Sequence, residues 1–537
     1  MGTSESKILS PHRKSETVDV SRSGLKALPP KGYKALKRCR RLVVAGNELD
    51  ELPDAIQEMR ALTEIDFSEN SIRFFPRKLP AQVTWINAAH NRLFFAPLPP
   101  EIGNYRNLVH LSLSHNQLED IPAEFGALAS LTHLELHNND LKDIPPSIFE
   151  LKELRTLNLS HNRVKRMSPE ICKLSNLRSL DISSNKITSL PIEFGALVSL
   201  LKLNAATNDL RELPHSFGNL TQLEELNLEE NADLESFPAS MSNLGQLKVA
   251  NIRNTKLESL PAECASWHAL EDLVMRDNTQ MEVLPEFIGQ LGNLVKFDAN
   301  TCSLTALPDD IGFLSKLSVL DVRNNQLSSH SIPQSIYNLR QLSRLYLSNN
   351  QIEVLPDELC HLPYLVELDV SNNFLYNLPD DIGQLNRLEK LSVSANKLDK
   401  LPESMGLLSS LTVLEIRGNS FNSLPDTIGS LAALTKLDIS RNKIVELPIA
   451  LGNLRNLVVR LSTVQHIPPL PLTRNRIVQS LDMKDNPILI PAQDVLHLPL
   501  RELLAYLRSP KAKSRDGQLA TLGQVIPEAN RSRAHAQ

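Results

Sequence analysis

The sequence predicts an α/β solenoid, a stack of short units that each pair one strand with one helical return, and three observations predict it. An asparagine recurs in a single register at Asn47, Asn70, Asn91, Asn116, Asn139, Asn162, Asn185, Asn208 and Asn231. It continues at Asn278, Asn325, Asn350, Asn373, Asn396, Asn419, Asn442 and Asn486. From Asn116 to Asn231, and from Asn350 to Asn442, every step is 23 residues. Around each asparagine the chain repeats L-x-x-L-x-L-x-x-N-x-L, followed by x-x-L-P-x-x-[IF]-G-x-L-x-x.

That pattern and period are those of a leucine-rich repeat. The L-x-L portion alternates at period two, which is a short strand with leucines inward and the x residues outward. One strand per unit, stacked in parallel, makes a sheet on the inner, concave face of an arc. The L-P-x-x-[IF]-G-x-L half is a 3₁₀ or short helical return on the outer face, where proline suits a helix start because its missing N–H is no loss. No unit can bury its leucines alone, so stability comes from neighbours. The asparagine amide has two donors and an acceptor, and a ladder of them can satisfy backbone groups where the chain leaves the strand. Ser23, Thr255 and Cys302 replace it. Longer steps between Asn231 and Asn350, and a shorter one before Asn91, place small length changes in loops.

The boundaries expected are a disordered tail over residues 1–16, a solenoid of about 20 units over 17–488, a capping helix over 489–508 and a disordered basic tail over 509–537. Residues 457–477 lose the pattern. The helix is expected from PAQDVLHLPLRELLAYLRS, where Val495, Leu498, Leu503 and Leu507 suit one amphipathic face.

Of 537 residues, 41% are hydrophobic and only 4% aromatic, so the core is aliphatic. The net charge of −5 is unevenly spread: residues 1–41 carry +8, residues 508–537 carry +4 and the body carries −17. An acidic body argues against nucleic-acid binding, which needs a positive surface. No apolar run is long enough to span a membrane, and the amino terminus lacks a secretory signal. Cys39, Cys172, Cys264, Cys302 and Cys360 all fall inside the repeat pattern, where buried packing is expected. Without disulfide-capped ends the expectation is a reduced, cytoplasmic protein, monomeric.

The L-P-x-x-[IF]-G-x-L unit resembles that of the intracellular Ras-group leucine-rich-repeat proteins, which include the Ras–Raf–phosphatase scaffold of animals and its plant relatives. The ending NPILIPAQDVLHLPLRELLAYLRS is similar to theirs. The resemblance covers roughly residues 17–508 and implies a scaffold or adaptor for signalling proteins, small GTPases or kinase-pathway components among them. The scaffold's phosphatase-docking segment, a basic residue followed by V/I-x-F/W, has no match in residues 1–40, so that partner is not carried over.

No G-x-x-x-x-G-K-[ST], strand-linked G-x-G-x-x-G, H-E-x-x-H or paired C-x-x-C occurs. The expectation is therefore no catalysis and no cofactor, with protein binding on the concave face. A receptor-like sensor of a small molecule or carbohydrate is the alternative. Contact candidates are the outward Trp85 and a basic column of Arg253, Arg276, Lys296, Arg323 and Arg344, with Asp272, Asp298 and Asp321 available to neutralise it. Glu225, Glu229 and Glu230 border that column. His110, His133 and His137 are candidate metal ligands or, with His90, His115 and His161, a pH-sensitive face. Met1-Gly2 with Ser6 fits M-G-x-x-x-[ST], making Gly2 a lipidation candidate that would give peripheral membrane association together with the basic stretch after it.

Overall fold

The leucines of each unit are divided by the strand's two-residue period into one buried line, and that line is what the fold stacks. The computed structural model describes residues 15–95, 97–444, 448–454 and 458–460. Gly2, most of the tail over 1–16, the helix expected over 489–508 and the tail over 509–537 lie outside these residues. The chain divides into two units, Met1–Asn278 and Thr279–Gln537. Each is a leucine-rich-repeat solenoid.

The first unit opens with β1 (Thr17–Asp19), β2 (Arg41–Val43), β3 (Glu64–Asp66) and β4 (Trp85–Asn87). It continues through β5 (His110–Ser112), β6 (His133–Glu135), β7 (Thr156–Asn158) and β8 (Ser179–Asp181). It closes with β9 (Lys202–Asn204), β10 (Glu225–Asn227), β11 (Val249–Asn251) and β12 (Asp272–Val274). Each strand pairs in parallel with the next, and equivalent repeat positions are in register, as in His110↔His133 and Glu225↔Val249.

The second unit holds β13 (Lys296–Asp298), β14 (Val319–Asp321), β15 (Arg344–Tyr346) and β16 (Glu367–Asp369). Then follow β17 (Lys390–Ser392), β18 (Val413–Glu415), β19 (Lys436–Asp438) and β20 (Val458–Arg460), again parallel and in register. β20 falls in the stretch 457–477 that was expected to lose the pattern. Its valines keep the strand propensity although the leucine consensus is gone, and Val458 pairs with Lys436.

Between strands the chain returns through 3₁₀ turns of three to five residues. The proline of L-P is the residue just before the turn rather than its first residue in most units. Pro122, for example, is extended at φ −67°, ψ 156°, and its carbonyl accepts from Phe125 N at 3.1 Å. The length changes read from the sequence fall here. The short unit before Asn91 has no 3₁₀ turn between β3 and β4, and the 25-residue step from Asn325 to Asn350 contains an extra turn at Ser329–Ser331. The core is a leucine column with Phe125, Phe194 and Phe217 beneath the turns and Trp267 fully buried, its Nε1 donating to Met241 O at 3.0 Å.

Four of the five thiols are buried; Cys172 is only half-buried. Burial raises the Cys39 and Cys264 thiols above the usual range and pushes Cys360 up to about 12. No helix among the described residues is long and apolar enough to cross a membrane.

Candidate protein-binding face

Counting the first leucine of each unit as position one, the side chains at positions three, five and seven stand on the strand face and the asparagine is position nine. That asparagine is a structural group. Asn162 Nδ2 donates to Leu136 O at 3.0 Å in the preceding repeat and to Leu159 O at 3.0 Å in its own. Its Oδ1 accepts from Leu141 N at 3.0 Å. The same set recurs at Asn208 and Asn373. Thr255 replaces it with a hydroxyl that donates to Ile252 O at 3.3 Å and to Asn278 Oδ1 at 2.8 Å.

Two further regularities escaped the reading of the sequence. Position eight has positive φ throughout, from Arg22 at 49° to Arg441 at 53°. This is the left-handed region, favoured by Gly, Asn, Asp and His. The signal was present as Gly46, Asn138, Asn254, Asp277 and Gly418, and it accounts for His90, His115 and His161 without a ligand. Position five is an Asn or Asp in most units, and its Oδ1 accepts from the backbone N–H of position seven. Asp66 does so for Ser68 at 3.0 Å and Asn158 for Ser160 at 2.9 Å. This local side-chain cap steers the chain out of the strand.

The histidines fall into two rows. In the position-three row, Trp85 stacks on His110 with ring centroids 5.4 Å apart, and His110 lies 5.9 Å from His133. His137 stands in the other row, edge-on to His115 at 5.3 Å, while His115 stacks on His90 at 3.8 Å. The proposed metal set of His110, His133 and His137 is therefore not brought together. Among the described residues no group of three His, Cys, Asp or Glu side chains is placed to hold a metal ion. Burial lowers the pKa of His110, His115 and His137. For His115 the neighbouring His90, His137 and His161 add to the effect, whereas Glu135 opposes it at His110 and His137.

The basic column divides between the two units. In the first, Arg253 is held between Glu230 at 3.0 Å and Asp277 at 2.5 Å, and Arg276 is exposed. In the second, Arg323 pairs with Asp321 at 2.5 Å and lies 4.9 Å over the Tyr346 ring. The Tyr346 hydroxyl donates to Glu367 at 2.8 Å, and Glu367 also accepts from Lys390 at 2.6 Å. Lys296 and Arg344 are exposed. Arg253 and Arg323 are thus spent on intramolecular partners, Glu230 and Asp277 among them, which the sequence reading did not name as partners.

Family models agree with this architecture. One described as a leucine-rich repeat region matches residues 150–253, one described as leucine rich repeat matches 315–375 and 386–444, and one described as two leucine-rich-repeat copies matches 106–149. No curated protein sequence matches the chain. Among solved structures, a leucine-rich-repeat protein of Leptospira interrogans is 28% identical, with TM-score 0.54 over 82% of this chain and 93% of that one. YopM from Yersinia enterocolitica is 25% identical, with TM-score 0.58 over 90% and 96%. The ectodomain of the membrane receptor kinase GASSHO1/SCHENGEN3 from Arabidopsis thaliana, in complex with CASPARIAN STRIP INTEGRITY FACTOR 2, is 25% identical, with TM-score 0.52 over 84% and 65%. The fold and these likenesses define the class as leucine-rich-repeat solenoids.

Proposed function

We propose that this chain is a non-catalytic cytoplasmic scaffold that binds a protein partner on its strand face. The signalling proteins implied by the Ras-group resemblance, small GTPases or kinase-pathway components, are the partners to test first. The observation that carries the reading is the Trp85–His110–His133 row. It is an aromatic strip, half-exposed or exposed, standing on three consecutive in-register strands. Rigid strands present it at little ordering cost on association, and a partly exposed tryptophan is a residue type that anchors interfaces.

Affinity capture from native cytosol tests this. The wild-type chain is expected to retain a stoichiometric protein partner, and Trp85→Ala with His133→Ala to weaken retention more than about tenfold, as truncating an interface anchor does, with an unchanged melting temperature. Undiminished capture by the double variant refutes the strip. The receptor-like alternative draws on the GASSHO1 ectodomain, whose structure is a complex with its factor. Retention of a small molecule or carbohydrate in place of a protein would favour it.

A further inference from the structure

The Oδ1 cap at position five needs only an oxygen. Asp19, Asp66, Asp181, Asp369 and Asp438 supply it as well as any asparagine, at 2.9–3.1 Å from the position-seven N–H. Across β7–β11, however, four of the five position-five residues are asparagine: Asn158, Asn204, Asn227 and Asn251. Each gives its Oδ1 to the cap, at 2.9, 3.2, 3.1 and 3.2 Å respectively. With the oxygen anchored to the backbone, the NH₂ group is turned away from that bond, and a carboxylate could not supply this donor.

Two of these donors are spent inside the molecule. Asn204 Nδ2 donates to Asp181 Oδ2 at 3.2 Å and Asn251 Nδ2 to Glu229 at 2.7 Å. For Nδ2 of Asn158 and Asn227 no protein acceptor is found among the described residues. The two lie three strands apart. At a strand spacing of about 4.8 Å that is about 14 Å, which matches four residues of extended chain at about 3.4 Å each. A groove of about 360 Å³ runs along β8–β11, beginning on the strand next to Asn158 and continuing past Asn227, lined among others by Asp181, Lys202, Asn204, Glu225, Asn227 and Asn251. Lys202 and Glu225 neutralise one another at 2.6 Å. Asp181 accepts from Ser183 and Asn204, and no cation pairs with it among the described residues.

We propose that this groove binds an extended peptide segment lying across the strands. Main-chain carbonyls four residues apart accept from Asn158 and Asn227, and a lysine or arginine between them faces Asp181. The proposal rests on the strand face being the protein-binding face, and it names the kind of partner element taken there. Hydrogen bonds to the main chain give affinity with little dependence on sequence, and the single carboxylate gives the preference for a basic side chain.

A phage-displayed library of random decapeptides, panned on the full-length chain, tests it, with enriched sequences remade as labelled peptides and measured by fluorescence polarisation. Enriched peptides are expected to carry a lysine or arginine. Asn158→Asp with Asn227→Asp is expected to weaken them more than about tenfold, a loss of about 1.4 kcal/mol. The melting temperature should not change, since aspartate keeps the cap. Asp181→Asn should erase the preference for the basic residue. Asn87→Asp, at the same position outside the groove, should leave peptide affinity unchanged. Failure to enrich any peptide, or enriched peptides indifferent to the double aspartate variant, overturns the proposal. Capture of a partner that depends on Trp85 would survive either result, so the two readings fail separately.

Discussion

A single carboxamide at position nine makes two hydrogen bonds to the preceding repeat and bonds also within its own, and its worth can be measured at Asn162. Asn162→Ala removes the donors for Leu136 O and Leu159 O and the acceptor for Leu141 N. Stranding buried backbone groups is expected to cost about 1–3 kcal/mol, read by denaturant unfolding. At the same scale the histidine rows give a pH dependence. Folding lowers the pKa of His110, His115 and His137, chiefly through burial, so the unfolded chain takes up these protons first as pH falls. The stability they contribute is complete above about pH 6.5, the unfolded value, and is lost as pH falls through the lowered folded values. The carboxylates of Glu135, beside His110 and His137, and Asp181, beside His137, act on the rings in the opposite sense to burial, which softens the loss without reversing its sign. Thermal melts between pH 7.5 and 5.5 should show a falling limb, and His115→Asn, which also suits a left-handed backbone, should flatten it. A limb unchanged by that substitution would place the titration elsewhere.

The element that governs spacing is the 3₁₀ return and its glycine. A Cβ added at Gly218 would meet Ser240 O at 2.0 Å, and one at Gly195 would meet Ser216 O at 2.1 Å. The glycine of [IF]-G-x-L is therefore required by close approach of the next return, not by its own backbone angles. Gly218→Ala must push two returns apart, and overpacking of this kind is expected to cost about 1–3 kcal/mol, whereas Gly245→Ala, with nothing within 4 Å, should be tolerated. Comparison of their unfolding midpoints checks this. Leu159, fully buried under β7, is expected to cost about 2–5 kcal/mol when cut to alanine. Hydrogen exchange should show the lost protection first in the adjoining repeats, residues 131–190, because coupling is between neighbours.

For the molecule as a whole, a body charge of −17 leaves acids in excess of basic groups, and the pairs at Arg253 and Arg323 remove two basic groups of the strand face from use. The half-exposed pairs of Arg253 contribute about 0–1 kcal/mol each, whereas Asp321 beneath Arg323 is buried. Arg253→Ala is accordingly expected to change the melting temperature little, and both Arg253→Ala and Arg323→Ala to change partner capture less than Trp85→Ala does. A partner lost more completely with the arginines than with Trp85 would restore the basic column as the contact surface.

Register and the buried line of leucines were legible in the sequence by itself, because a period-two strand inside a 23-residue period leaves few ways to hide the apolar side chains. The structural work of the asparagines was legible for the same reason, since a carboxamide repeated in a buried register must answer backbone groups. Trp267 in a leucine slot and Trp85 at an outward position were also readable. Only the tertiary structure decided which polar neighbours meet. Arg253 reaches Glu230 in the preceding repeat and Asp277 in the next one, 23 and 24 residues away, and His137 turns to His115 rather than to His110 and His133. Position along the chain fixes a side chain's column, but rotamer and neighbouring strand fix its partner. The use of asparagine where aspartate would serve, and so the two donors left at Asn158 and Asn227, becomes visible only once every Oδ1 has been traced to the N–H it caps.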